Sequence, residues 1–160
     1  RNQVFGWPGR PAITYFKGKI KNNKKTGKGL EIILQIQNYL PEVVSFYKGN
    51  WKNGIQEGEG EETFPNGTVY KGTFKNNQRH GKGTMKMNNG FSYSGEWNSG
   101  EMSGRGVATY ANGDKYEGYF LNGKREGKGV MMFQNGKIID TIWKDGKEVK
   151  TATGNTDINN

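Results

Sequence analysis

Aromatic, glycine and polar positions alternate along this chain with period two. Tyr70, Gly72 and Phe74 share one parity, and Lys71, Thr73 and Lys75 the other, which predicts a β-strand with one aromatic and one polar face. The same pattern opens at Tyr47 with Trp51, at Tyr93 with Trp97 and at Tyr116 with Phe120, each 23 residues after the last. A fixed period of this size denotes a repeat architecture. Copies therefore run head to tail over 47–69, 70–92, 93–115 and 116–138. Each ends in Asn-Gly, at Asn66-Gly67, Asn89-Gly90, Asn112-Gly113 and Asn135-Gly136. Asn-Gly between β-patterned runs is a hairpin signal, since both residues tolerate positive φ.

Two further expectations come from this pattern. The residue before each turn is Phe64, Met87, Tyr110 or Phe133. A two-residue loop would aim these away from the aromatic row, whereas a three-residue loop with a glycine bulge brings them onto it. The bulged loop is expected, because it leaves only one apolar face. Glycine between two aromatics leaves a slot for a neighbouring ring. The pairs Gly58/Gly60, Gly81/Gly83, Gly104/Gly106 and Gly127/Gly129 are expected at the opposite bend, between hairpins.

The pattern fails at both ends. Residues 1–15 carry Phe5, Trp7 and two prolines and read as an irregular arm capping the array. Phe16, Gly18, Ile20, Gly27 and Gly29 form a degenerate first copy over 16–46, and eight extra residues delay the next copy to Tyr47. Leu30, Ile32, Leu34 and Ile36 alternate with Glu31, Ile33, Gln35 and Gln37, so the insertion reads as a longer hairpin, with a wide turn over Asn38 to Glu42 and a return over Val43 to Phe46. Trp143 and Asp145-Gly146 mark a half copy over 139–146, and 147–160 reads as a polar tail. The expected fold class is all-β: an elongated, twisted antiparallel sheet of consecutive β-hairpins.

Composition agrees. Glycine is the commonest residue at 26 of 160, hydrophobic residues make up 31% and aromatics 12%. A thick core is excluded, but rings burying on the order of 150–250 Å² each can hold a thin sheet. The absence of cysteine excludes disulfides and thiolate metal sites and fits a reducing compartment. No apolar run approaches the roughly 18 residues of a membrane-spanning helix. The chain begins at Arg1, as expected of a fragment or processed form. The net charge of +9 is uneven: residues 1–46 hold eight Lys/Arg against two acids, and 47–160 hold sixteen against thirteen.

Nothing in the sequence forms a catalytic constellation, so no enzyme activity, cofactor or metal site is expected. His80, the only histidine, reads as a bend residue without a Ser, Cys or Asp partner. The Gly-Lys-Gly triplets lack the strand–loop–helix context of phosphate loops. Glu57, Glu59, Glu61 and Glu62 read as a solvated edge rather than a cation loop. Two features stand above the repeat. Lys17, Lys19, Lys21, Lys24, Lys25 and Lys28 form an acid-free cluster suited to anionic headgroups or an acidic protein surface, unless they simply blunt an edge strand. Nucleic acid is disfavoured, since no groove-reading helix accompanies the charge. The insertion places Leu30, Ile32, Ile33, Leu34, Ile36, Tyr39 and Leu40 together, followed by Val43, Val44 and Phe46. These residues either bury against the arm or dock a partner chain.

The spacing YxGxWxxGxxxGxG with a terminal Asn-Gly resembles the MORN (membrane occupation and recognition nexus) repeat. It is carried by Tyr47/Trp51/Gly58/Gly60 and its equivalents at Tyr70/Phe74, Tyr93/Trp97 and Tyr116/Phe120, with a last ring at Trp143. The resemblance implies a ribbon of hairpins serving as a non-enzymatic scaffold, with other proteins of a multi-subunit complex as partners. It also implies a cytoskeletal, axonemal (ciliary) or cortical setting within the cell. Phosphoinositide binding, reported for some members, is one alternative it implies, and an accessory module of a larger enzyme is another.

Overall fold

A computed structural model describes residues 12–37 and 40–151. Twelve strands follow one another: β1 (Ala12–Lys21), β2 (Lys24–Gln37), β3 (Leu40–Lys52), β4 (Ile55–Thr63), β5 (Val69–Lys75), β6 (Gln78–Lys86), β7 (Ser92–Asn98), β8 (Glu101–Thr109), β9 (Lys115–Leu121), β10 (Lys124–Met132), β11 (Ile138–Lys144) and β12 (Lys147–Thr151). They form one antiparallel sheet whose spatial order is the chain order. The expected ribbon of consecutive hairpins is therefore the fold.

One face is held together by rings. Tyr47, Tyr70, Tyr93 and Tyr116 are at most 1% exposed, and Trp51, Phe74, Trp97, Phe120 and Trp143 are buried beside them. The rings meet edge to face in one unbroken path from Phe16 through Trp51, Tyr47 and Phe74 onward to Tyr116 and Trp143, with centroids 4.9–5.9 Å apart. Each such pair contributes about 0.5–1.5 kcal/mol beyond the area it buries. The core is therefore one ring layer on one face.

The glycines make room for that layer. Each tyrosine folds over two glycines: Tyr47 lies on Gly49 of its own strand and on Gly60 opposite, and these two glycines are paired in the ladder. The tyrosine hydroxyl then donates to the carbonyl three residues on, Tyr47 to Asn50 at 3.1 Å, Tyr70 to Thr73 at 3.0 Å and Tyr93 to Glu96 at 2.9 Å. The ring in each glycine slot is therefore the strand's own tyrosine, not a neighbouring one. The last copy tests this logic. Ile139 stands where a tyrosine would, and Thr141 replaces the glycine, its hydroxyl donating to the Gly129 carbonyl at 3.1 Å and accepting from Trp143 Nε1 at 2.7 Å.

The two ribbon edges differ. Along one run five-residue connections such as Phe64–Thr68, where Gly67 N–H donates to Phe64 O at 2.9 Å and only the glycine has positive φ. This is the three-residue loop with a glycine bulge, and it puts Met87 and Tyr110 against the ring layer. Along the other edge run two-residue turns with positive φ at both positions: Asn22-Asn23, Asn53-Gly54, Asn76-Asn77, Ser99-Gly100, Asn122-Gly123 and Asp145-Gly146. These are the tight turns of the ribbon. The Gly58/Gly60 type of pair is not at a bend, as expected from sequence, but inside strands. Its first glycine takes positive φ at a register shift, and its second lies under the tyrosine.

Three boundaries also differ. β1 starts at Ala12, so residues 12–15 are strand and not arm, because Ala12 to Tyr15 pair with Ile32 to Gln35. The array does not stop at a half copy: Lys147–Thr151 pairs back on β11, so these tail residues are strand. Leu40 to Glu42 are strand and not turn, since they pair with Gln35 to Gln37. The rest of the arm and tail, and Tyr39, lie outside the described residues.

Candidate functional site

The face opposite the rings carries the second parity of every strand. Its floor is backbone, because the glycines beneath it point toward the rings. Arg105, Val107, Glu117, Tyr119, Val130 and Ile142 line a groove of about 730 Å³ across β8 to β11, floored by Gly106, Gly118 and Gly129. A second depression continues across β4 to β8 with polar walls, Glu59, Lys71, Lys82, Thr84, Ser94 and Glu96 among them. Arg105 Nε donates to Tyr119 Oη at 2.9 Å and its guanidinium stacks on that ring, fixing one wall of the groove. This face is open, unlike the ring face.

The inserted hairpin contributes to the same face. β2 and β3 have 14 and 13 residues, against 7–9 in β4 to β11, so the hairpin overhangs its neighbours. Leu30, Ile32, Leu34 and Ile36 share the open-face parity, while Ile33 lies on the ring side. All five are half-buried. Leu40 and Val43, near the tip, are 68% and 48% exposed. β1 covers the β2 side of the overhang through Ala12↔Gln35 and Thr14↔Ile33. β3 gains no such cover from β4, whose pairing begins at Phe46↔Thr63. The overhang thus ends in an open strand edge, blunted by Pro41.

The six lysines do not form one patch. Lys17, Lys19, Lys21, Lys24 and Lys28 are exposed. Lys25 instead turns onto the ring face, where its ammonium sits 4.5 Å from the Trp51 ring centre and pairs with the buried Glu31. Burial lowers the Lys25 pKa from its usual value. The sequence held a signal for this. The ring one strand on alternates Trp51, Phe74, Trp97, Phe120, Trp143, and the residue at the Lys25 position alternates in step as Lys25, Gln56, Arg79, Met102, Arg125. Of these five rings it is the tryptophans that carry a cation: Arg79 lies 5.1 Å from the Trp97 ring centre and Arg125 3.3 Å from that of Trp143. Tryptophan is the best cation–π partner, so a double repeat of 46 residues underlies the single one.

The remaining chemical groups serve the fold. His80 lies within β6, half-buried, rather than at a bend. Glu57 accepts from the Asn76 N–H at 3.1 Å and Glu59 from the Thr73 hydroxyl at 3.1 Å. Glu62 departs from the solvated-edge reading: it sits between Tyr47 and Tyr70 on the ring face, and burial raises its pKa while Arg79 opposes the shift. Among the described residues no group of three or more His, Asp or Glu has metal-holding geometry.

Comparison with curated proteins finds no match. The family model described as MORN repeat matches residues 47–69, 70–91, 93–115 and 116–138, which is more than half of the chain. MORN repeats are modules of protein or membrane interaction, which accords with a ribbon that spends one face on its own rings and leaves the other open. The chain belongs to the MORN repeat family.

Proposed function

We propose that this chain is a non-enzymatic scaffold whose open face and inserted hairpin hold protein partners inside a larger cytoskeletal or axonemal assembly. The observation that carries this is the asymmetry of the sheet. The ring face is closed by its own tyrosines and tryptophans, while the open face presents Ile13, Tyr15 and Val43 exposed together at the inserted hairpin. Exposed apolar groups clustered on a sheet face mark interaction surfaces. Affinity capture from the native cell, with the chain and with its Leu40→Asp/Val43→Asp variant, tests the reading. A defined partner should be retained by the first and lost by the second. Equal recovery by both removes the inserted hairpin from the proposal, and recovery by neither removes the scaffold role.

The five exposed lysines favour a second reading, a peripheral contact with anionic phospholipid. Each lysine near such a surface contributes about 1 kcal/mol. Sedimentation with phosphoinositide vesicles should fall sharply when Lys17, Lys19, Lys21, Lys24 and Lys28 become Glu. Lys25 is left unchanged as a residue of the ring face.

A further inference from the structure

The open face carries an order along its length. Because the strands follow chain sequence, cross-strand ladders run unbroken from β1 to β11. One ladder begins Lys17, Leu30, Lys48 and ends Glu117, Val130, Asp140, with Thr84 of β6 at its centre. Taken inward from the two ends, equidistant members are complementary: Lys17 with Asp140, Leu30 with Val130, Lys48 with Glu117. The next ladder, toward the long loops, begins Tyr15, Ile32, Phe46 and ends Lys115, Met132, Ile138, centred on Lys86, also in β6. Here Tyr15 matches Ile138, Ile32 matches Met132, and the Phe46 ring matches the Lys115 cation. Tyr15 and Ile138 are 52% and 67% exposed, large apolar side chains for which the fold offers no cover.

A surface that binds its own copy through a two-fold axis needs this order, since residue i meets j while j meets i. We infer that the open face is a self-association surface on which a second copy of the chain packs with its strand order reversed, the two-fold axis lying along β6. The inference rests on the open face being the interaction surface. Two sheets of the same twist can stack face to face with their strands kept nearly aligned. The opposite arrangement, with strand order unreversed, would set Lys17 on Lys17 and Glu117 on Glu117. An anionic membrane would suit Lys17 and Lys48 but oppose Glu117 and Asp140. Not every contact is complementary: Lys86 would meet Lys86 on the axis, with only the exposed, flexible ends of the side chains to separate the charges, and Val69 would meet Ser92. Glu61 would meet Val107, but it lies between Lys48 and Lys71 in its own ladder. In the third ladder Lys28 would meet Lys128, which confines the contact to the two ladders nearest the long loops.

Analytical ultracentrifugation of the full chain tests this. The expected result is a concentration-dependent dimer that weakens with added salt. Lys48→Glu and Glu117→Lys, both at exposed positions, should each weaken it by at least about tenfold, and the double variant should restore it. The chain has no cysteine, so a single Thr84→Cys reports on the axis; across stacked sheets about 10 Å apart it is too far for a disulfide but should be joined into a dimer by a short bis-maleimide. Glu61→Cys, two strands off the axis and roughly 19 Å from its mate, should not. A chain that stays monomeric at every concentration overturns the inference. So does a dimer indifferent to both charge reversals, or one in which Glu61→Cys cross-links as readily as Thr84→Cys. A monomer that still captures a partner through its inserted hairpin leaves the scaffold proposal standing.

Discussion

Replacing Gly60 by alanine is the most direct test of how the ribbon is held. Gly60 has ordinary backbone geometry, so alanine brings no φ strain. Its Cβ, however, would come 2.7 Å from ring carbons of Tyr47. The ring must tilt away. It then loses its hydroxyl bond to Asn50 O, about 1 kcal/mol. It also loosens its edge contacts with Trp51 at 5.2 Å and Phe74 at 4.9 Å, worth about 0.5–1.5 kcal/mol each. Overpacking adds about 1–3 kcal/mol. Gly60→Ala should therefore cost about 3–5 kcal/mol, much of the ~5–15 kcal/mol that holds a typical domain. Gly123→Ala is the control. It has positive φ but no atom within 4 Å of an added Cβ, so it carries only backbone strain, about 1–2 kcal/mol. Urea unfolding followed by far-UV circular dichroism compares the two. If Gly60→Ala proves no costlier than Gly123→Ala, tyrosine-over-glycine packing is not what holds the sheet.

Other consequences follow from the same geometry. Burial pushes the Tyr47, Tyr70 and Tyr93 phenols up to about 12, so the unfolded chain loses these protons first as pH rises. Their stabilisation is complete below pH ~10 and is lost between about 10 and 12, at up to ~1.4 kcal/mol per pH unit for each tyrosine, a slope that alkaline melts should show. Arg125→Met removes the cation over Trp143 and should lower stability by about 0.5–2 kcal/mol with a change in tryptophan emission, whereas Met102→Arg, opposite a phenylalanine, should gain less than the arginine lost. Asn23 holds φ of 61° in a tight turn, so Asn23→Gly should raise the melting temperature slightly, while Asn23→Val should lower stability by about 1–2 kcal/mol.

The sequence by itself determined the architecture. Period-two alternation set the strands, the 23-residue recurrence set their succession, and Asn-Gly with its flanking aromatics specified bulged loops. These are local preferences repeated in register, and a sheet in chain order needs little long-range information. The alternation of tryptophan with its cation was also written in the sequence, at twice the obvious period. Only the tertiary structure decided which residues share a space. Gly60 lies under Tyr47 because a sheet pairs it with Gly49, and no spacing rule distinguishes that slot from a bend. Lys25 left the lysine cluster because it shares the ring-facing parity of Gly29 and Glu31 in β2, which sets it beside Trp51. Lys17 and Asp140 became the two ends of one ladder because nine strands accumulated between them. Local chemistry fixes each hairpin, but the face a side chain joins depends on register summed over all the strands before it.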